Sequence, residues 1–400
     1  MPLSGTDRSA RTTVFTPRLH ALLRDHRGED VFRLDADTMG VAGPELTDRI
    51  LAARPATEHE RPAFKPLHGR SISRPEASGV MRAIGRDVRA ALRAPVPGGT
   101  DLTGVWPHVG HVHLRDLILG ADPYRLRVLM DRTLELTPKL TWTVIAAGAA
   151  LPGRLRPGAP VTAIAGLTAD AANYSDRRYA MGLYRRAAAP VCFTVSTLVA
   201  NAYWLGAPFD DDTPNEHILY EAMRLLPPSW NILRNASPEY PALDARIGTG
   251  DDVLLLPLLS HRDPALWDEP DTFRPERWAT LDPDDHPGFL PFGHASERCW
   301  GRHMVMPLAE MLLDILRADG VTVDARQTTA KVPLAGLLGV DKVRLVRRGQ
   351  RPGTAGTPRR NRPVQRKGSP KSAESAGSSR MRRTSTSVRS RKIRRSDSSS

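Results

Sequence analysis

The sequence predicts a mainly α fold with small β-sheets. Two segments are typical of helices packed inside a protein: residues 187–209 contain no charged side chain, and Met304–Leu316 is an apolar helical stretch. Runs at Val31–Leu34 and Thr38–Gly43 indicate a strand pair, and short strand signals return between Thr322 and Val346. The absence of a Gly/Ser linker between these elements favours one large domain.

Other helices follow from start signals along the chain. Thr16–His26 predicts an amphipathic helix, with Thr16 placed to cap it and Pro17 in its first turn. A second helix begins at Pro44, and a third helical pattern covers Trp106–Leu136. The strand pair described above would form a small sheet near the start of the chain.

The positive charge of the chain is concentrated at one end. The whole sequence of 400 residues carries +13, but Arg347–Ser400 holds 17 basic and two acidic residues. This segment is rich in Ser, Arg, Pro and Gly and has no aromatic residue, so it cannot bury enough apolar surface to fold. We expect a folded domain over residues 1–348 and a disordered basic tail over residues 349–400.

The tail bears on binding partners. Its charge would attract nucleic acid or anionic lipid non-specifically, with strong salt dependence. No aromatic residues are interleaved to stack bases, so the composition indicates no specific nucleic-acid reader. The abrupt change of composition after Arg348 favours a tail without function.

Cysteine content and the first residues indicate a cytoplasmic protein. The two cysteines, Cys192 and Cys299, exclude a disulfide framework and fit a reducing compartment. The first residues lack the apolar core of a signal peptide. Residues 187–209 are long enough to span a bilayer, but Pro190 and Asn201 within them favour a helix buried in protein.

Cys299 is the most informative residue. It lies in a glycine-flanked segment, residues 291–301 (the cysteine loop), after a Pro- and Asp-rich stretch, residues 262–290 (the meander). The start of a helix and the neighbouring Arg298 and Arg302 favour a thiolate there, the form that binds metals. The alternative is an inert buried cysteine.

Three motifs in order carry a family resemblance. Phe292, Cys299 and Gly301 have the Phe-x6-Cys-x-Gly spacing of the haem-binding loop of cytochrome P-450 monooxygenases. Glu221–Arg224 matches that family's Glu-x-x-Arg, and Phe273–Trp278 matches its Phe-x-Pro-Glu-Arg-Phe/Trp segment. The chain therefore resembles this family from about residue 30 to about residue 348.

The resemblance implies a fold, a cofactor and an activity. It implies the cytochrome P-450 fold for a haem-thiolate catalytic domain over residues 1–348, with haem b (iron protoporphyrin IX) and Cys299 as the iron ligand. The implied activity is oxidation of a small organic molecule, such as a secondary metabolite, with O2. Electrons would come from a ferredoxin or similar donor. The protein would be a monomer and would not associate with a membrane.

Cations that would hold the two haem propionates are implied as well. By the resemblance, His111 and Arg115 would grip one propionate and Arg234 the other, since a guanidinium matches a carboxylate with two hydrogen bonds. The alternative is solvated arginines. The histidines at 108, 111 and 113 are also open to interpretation as a metal cluster, which no nearby cysteine completes.

A structural triad is implied beside the site. Glu221 and Arg224 are one helical turn apart, so they can pair. In the family the equivalent pair is buried with an arginine from the Pro-Glu-Arg segment, here Arg277. Such a triad would fix the meander and the cysteine loop rather than take part in chemistry. An exposed pair would have little effect.

The chain also departs from the family pattern. Ala295 replaces a usual glycine, Glu297 replaces a basic residue for which Arg298 would substitute, and Pro307 interrupts the helix after the cysteine. Each would loosen haem binding, which leaves open a degenerate, non-catalytic homologue that binds haem weakly or not at all.

The proton relay and the lid depart further. With Thr194 as the catalytic threonine, the acid expected before it is Phe193, and Thr194 could equally be a core threonine. Only 79 positions separate Arg115 from Thr194, so the lid over the substrate pocket is short. These departures leave open a haem-thiolate enzyme that uses peroxide, or that couples or rearranges its substrate.

Overall fold

The structure is a computed structural model. It describes residues 11–53, 64–67, 70–72, 82, 89, 93, 101–119, 191–293, 299 and 301–348. Predictions for the lid, for the loop at residues 294–298 and for the basic tail therefore lie outside the described residues.

Helices hold more of the described residues than strands do. They are α1 Pro17–Asp25, α2 Pro44–Ala52, α3 His108–Leu119, α4 over residues 191–206, α5 Asn215–Leu225, α6 Tyr240–Leu243, α7 Pro257–Ser260 and α8 Arg302–Ala318, with a 3-10 helix at Pro275–Ala279. The strands are β1 Thr12–Phe15, β2 Val31–Asp35, β3 Thr38–Val41, β4 Phe64–Leu67, β5 Arg70–Ile72, β6 Gly104–Trp106, β7 Ile232–Arg234, β8 Asp252–Leu255, β9 Val321–Val323, β10 Thr329–Val332 and β11 Val343–Arg347.

The strands form small sheets that join distant parts of the chain. The largest has the order β2-β3-β8-β7, in which β3 and β8 are parallel, with Val41 opposite Leu255. A second sheet has the order β6-β11-β9, and β1 pairs in parallel with β10, with Thr12 opposite Thr329. Strands β4 and β5 form a hairpin. The mainly α class with small sheets is thus confirmed.

Helix α4 lies at the centre of the core. Val195, Leu198 and Tyr203 on this helix are fully buried, and Leu312 and Leu316 of α8 belong to the same apolar cluster. Such burial explains why this segment tolerates no charged residue, since each would need a partner in the interior. Among the described residues, no helix is long and apolar enough to cross a membrane.

Two predicted details of the helices are wrong. Thr16 precedes α1 and Pro17 opens it, but the Thr16 side chain makes no capping hydrogen bond. Its backbone N–H instead donates to Val332 O at 3.2 Å, which continues the β1–β10 ladder. Pro307 does not interrupt α8, which runs through it from Arg302 to Ala318.

The third predicted helix begins later than its pattern suggested. Residues Gly104–Trp106 form β6 and pair with β11, so α3 starts at His108. The described part of α3 ends at Leu119, and the remainder of the predicted segment lies outside it.

Candidate functional site

Cys299 lines an apolar cavity beneath α4. The cavity has a volume of about 280 Å³. Its walls come from α2, α4, α5 and the segment after it, β7, the cysteine loop, α8 and the segment before β11. The lining residues are Leu51, Val191, Thr194, Leu198, Met223, Pro228, Ser229, Ile232, Arg234, Pro291, Phe292, Gly293, Cys299, Gly301, Val305 and Leu337. The cysteine, the threonine and one of the arginines predicted from sequence thus meet at one cavity.

Backbone hydrogen bonds hold Cys299 at the entrance to α8. Its N–H donates to Phe292 O at 2.8 Å, and its carbonyl accepts from Arg302 N at 3.1 Å. Gly301 lies beside the sulfur, because a Cβ on it would be 3.5 Å from Cys299 Sγ. Cys299 is a free, exposed thiol, so it is accessible to a ligand in the cavity.

One face of α4 forms the roof of the cavity. Val191, Thr194 and Leu198 lie at helical spacing along this face. Phe193 points elsewhere, because its ring packs edge-on against His111 of α3 with 4.5 Å between the ring centroids. Thr194 therefore lies at the cavity wall, whereas its neighbour Phe193 helps to join α4 to α3.

The predicted propionate cations are not all at the cavity. Arg234 is half-buried on β7 and lines it. His111 is buried on α3, and Arg115 is half-buried one turn further on, but the cavity walls described above include neither. Arg298 lies outside the described residues. Of the three predicted cations that the structure describes, Arg234 alone lies at the cavity wall.

Glu221, Arg224 and Arg277 form one buried ion-pair network. Glu221 Oε1 is 2.7 Å from Arg224 Nη2 and 3.3 Å from Arg277 Nε, and the side chains of Glu221 and Arg224 are fully buried. The same carboxylate accepts hydrogen bonds from Trp278 Nε1 and from Arg274 N, each at 3.0 Å. Arg224 also donates to carbonyl oxygens of His261, Pro270 and Thr272. The network joins α5 to the meander.

The histidine-rich start of α3 does not form a metal cluster. Within the described ranges, no group of three His, Cys, Asp or Glu side chains is placed to hold a metal ion. His108 is exposed whereas His111 is buried, so the two face different surroundings. The structure therefore does not support the metal-cluster interpretation.

Sequence reasoning missed one wall of the cavity, the one formed by Leu337. Leu337 reaches the cavity from the segment before β11, and Asn201 of α4 holds that segment in place. The Asn201 amide donates to Leu226 O at 3.0 Å, and its Oδ1 accepts from Val340 N at 3.0 Å. A polar residue inside an uncharged helix is the one signal in the sequence for this contact.

The fold and the site together define a class of protein. In this class a cysteine thiol lies at an apolar cavity under a buried helix. The loop that carries the cysteine follows a segment held by a buried carboxylate–arginine network. A thiolate donor with an arginine at the cavity wall and no acid among the described lining residues suits a metal-containing, apolar, anionic cofactor.

Comparisons with known proteins show similarity to one family. The cytochrome P450 family model, written P-450 here, matches residues 216–318. Cyclooctatin synthase from Streptomyces melanosporofaciens is 35% identical over 100 residues, which are 24% of this chain and 22% of that protein. This chain is thus similar to the cytochrome P-450 family over residues 216–318. Its alignments span about a fifth of the length of the curated relatives it matches.

Solved structures agree on the fold. A six-coordinated cytochrome P-450 from Thermus thermophilus aligns with a TM-score of 0.50 at 16% identity, covering 82% of this chain and 98% of that chain. A mutant of P-450 EryK in complex with erythromycin B aligns with a TM-score of 0.52 at 16% identity, covering 84% and 97%. The P-450 fold predicted from the sequence is confirmed, and the family implies haem b as the cofactor.

Proposed function

We propose that the protein is a haem-dependent monooxygenase that oxidises a small organic substrate, and that the Cys299 sulfur would bind the iron. The observation that carries the proposal is the meeting of Cys299, Thr194 and Arg234 at one apolar cavity. Haem b, when bound, supplies the activation of dioxygen and the transfer of oxygen to the substrate. The protein supplies ligand, position and protons.

Cys299 contributes the thiolate, and its loop determines where the sulfur lies. The bond from Cys299 N to Phe292 O closes the loop, while Gly301 leaves space next to the sulfur. The network of Glu221, Arg224 and Arg277 would then act as a scaffold rather than as a reacting group, because it joins α5 to the meander that leads to this loop.

Arg234 would hold one carboxylate of the cofactor from the cavity wall. His111 and Arg115 on α3, and Arg298 in the cysteine loop, complete the proposed cation set for the other. Their roles rest on the family resemblance, and a substitution at each would weaken retention of the cofactor without changing the fold.

Thr194 would hold or transfer a proton at its Oγ1. Thr194 lines the cavity, and the described residues of the wall include no carboxylate. Proton delivery would then use Thr194 with ordered water or a hydroxyl group of the substrate.

The proposed substrate and partners follow from the cavity lining and from the relatives. An apolar wall suits a small apolar organic molecule, such as the secondary metabolites suggested by the name of cyclooctatin synthase. A cytoplasmic monomer supplied with electrons by a ferredoxin-type protein completes the proposal, with residues 1–348 as the catalytic domain.

The test is a difference spectrum of the dithionite-reduced protein with and without carbon monoxide. We expect a Soret band shifted strongly to the red, which Cys299→Ser removes and Cys192→Ala keeps, because the second cysteine is buried in α4. Haem without this band, or no haem at all, would reject the thiolate assignment and favour a non-catalytic homologue.

The position of Phe193 favours a second candidate. Since the family's acid is replaced by a ring that packs on His111, a haem-thiolate enzyme that uses peroxide or that couples or rearranges its substrate also fits. Turnover supported by ferredoxin and O2 in the presence of catalase would reject it. Turnover that requires added peroxide would replace the first candidate.

A further inference from the structure

His261 lies fully buried between α5 and the start of the cysteine loop. Its Nε2 accepts a hydrogen bond from Leu290 N at 2.8 Å, and its carbonyl oxygen accepts from Arg224 Nη1 at 2.9 Å. The imidazole ring also packs at a tilt on Phe289, with 5.2 Å between the ring centroids. One residue thus joins the buried ion-pair network to the backbone that enters the loop.

The hydrogen bonds continue from His261 to the cysteine. Leu290 O accepts from Gly293 N at 3.3 Å, and Phe292 O accepts from Cys299 N at 2.8 Å. Pro291, between Leu290 and Phe292, has no backbone N–H to donate. The Leu290 N–H is therefore an important anchor for this segment. Loss of the bond to His261 would free the segment whose far end is held to Cys299.

The surroundings of His261 favour a neutral imidazole. Helix α5 presents the Arg224 guanidinium, whose charge Glu221 balances, and the meander presents His286; the adjacent Arg262 pairs with Asp271. Burial, and then the charge of Arg224, lower the pKa of His261 to about 3. A neutral Nε2 can accept the Leu290 hydrogen bond, whereas a protonated Nε2 is a donor and cannot.

We propose that His261 is a positioning residue for the cysteine loop, and that its protonation in acid releases the Leu290 anchor before the helices unfold. The catalytic meaning of this role rests on the function proposed above, but the anchor itself does not. Acid would act on the cysteine loop through a histidine that does not itself line the cavity.

The experiment follows the Leu290 amide directly. Hydrogen-exchange protection factors, which correct for the intrinsic effect of pH, are measured from pH 7 to pH 3 on the full chain as purified, beside far-UV circular dichroism. His261→Gln offers an oxygen near the position of Nε2 that accepts a hydrogen bond but does not titrate. His261→Leu removes the acceptor, and His20→Gln on the exposed face of α1 is the matched control.

In the wild type and in His20→Gln, Leu290 protection should fall about tenfold or more between pH 6.5 and pH 3, while the helical signal persists. In His261→Gln the protection should last until the helices unfold, and in His261→Leu it should be low already at pH 7. If His261→Gln loses protection at the same pH as the wild type, or if protection and helicity always vanish together, the proposal is wrong.

A carbon monoxide spectrum at each pH separates this proposal from the proposed function. Loss of the red-shifted band in acid should accompany loss of Leu290 protection in the wild type, but not in His261→Gln. Absence of the band at pH 7 with an unchanged exchange pattern would reject the haem-thiolate function and leave the anchor standing.

Discussion

Replacing Glu221 by glutamine should destabilise the protein far more than a conservative change normally does. The carboxylate is fully buried and accepts hydrogen bonds from two guanidinium groups, one indole N–H and one backbone N–H. Glutamine keeps the shape but has one acceptor oxygen, and its NH2 group faces donors. Arg224 would then remain buried without a counter-charge.

The expected cost is about 3–5 kcal/mol in the free energy of unfolding, the usual result of removing one partner from a buried ion pair. With a urea m-value of about 3 kcal/mol per M, the unfolding midpoint falls by roughly 1 M or more. The measurement is urea unfolding followed by circular dichroism, with the slope compared between variants.

Glu276→Gln is the matched control. It makes the same chemical change two positions from Arg274, in the same meander, but the Glu276 side chain is 64% exposed. An exposed pair contributes about 1 kcal/mol or less, so its midpoint should hardly move. Equal midpoints for Glu221→Gln and Glu276→Gln would show that the network does not hold the meander and would refute the reasoning.

Two further predictions concern packing and pH. Gly339→Ala should destabilise the protein, because the new Cβ would lie 2.3 Å from Thr197 Cγ2, whereas Gly336→Ala, with nothing within 4 Å, should not; a thermal melt that moves equally for both would contradict this. Because the pKa of His261 is lowered in the folded state, stability should fall as pH drops from about 6.5 towards 3, by about 2–3 kcal/mol at pH 4.5. Urea titrations of wild type and His261→Gln at pH 7 and 4.5 measure this, and an equal loss in both would contradict it.

Local patterns predicted the parts of the site that lie close together in the chain. Glu221 and Arg224 face each other because helical spacing alone brings them together, and the cysteine loop is short enough to be read as one motif. Phe292 and Cys299 are seven positions apart, and one backbone hydrogen bond closes that interval. For such features the sequence contains most of the geometry.

Long-range contacts could not be predicted in the same way. No local signal indicates that Leu337 would reach the cavity or that Trp278 would donate to Glu221. Thr16 lies at the N-cap position of α1 without the expected side-chain hydrogen bond, and its backbone N–H pairs with Val332 on β10. Each depends on residues far away in the chain, which a local pattern does not register.

The parallel pairing of β1 with β10 has a consequence for biosynthesis. Thr12 lies opposite Thr329, so roughly 300 residues must follow β1 before its partner exists. At about 5–20 residues per second, β1 leaves the ribosome roughly 15–60 s before it can pair. The β6–β11 pair imposes a similar delay. During that interval the nascent chain exposes unpaired strand edges. Chaperone supply should therefore influence the yield of folded protein more than substitutions of the proposed catalytic residues do.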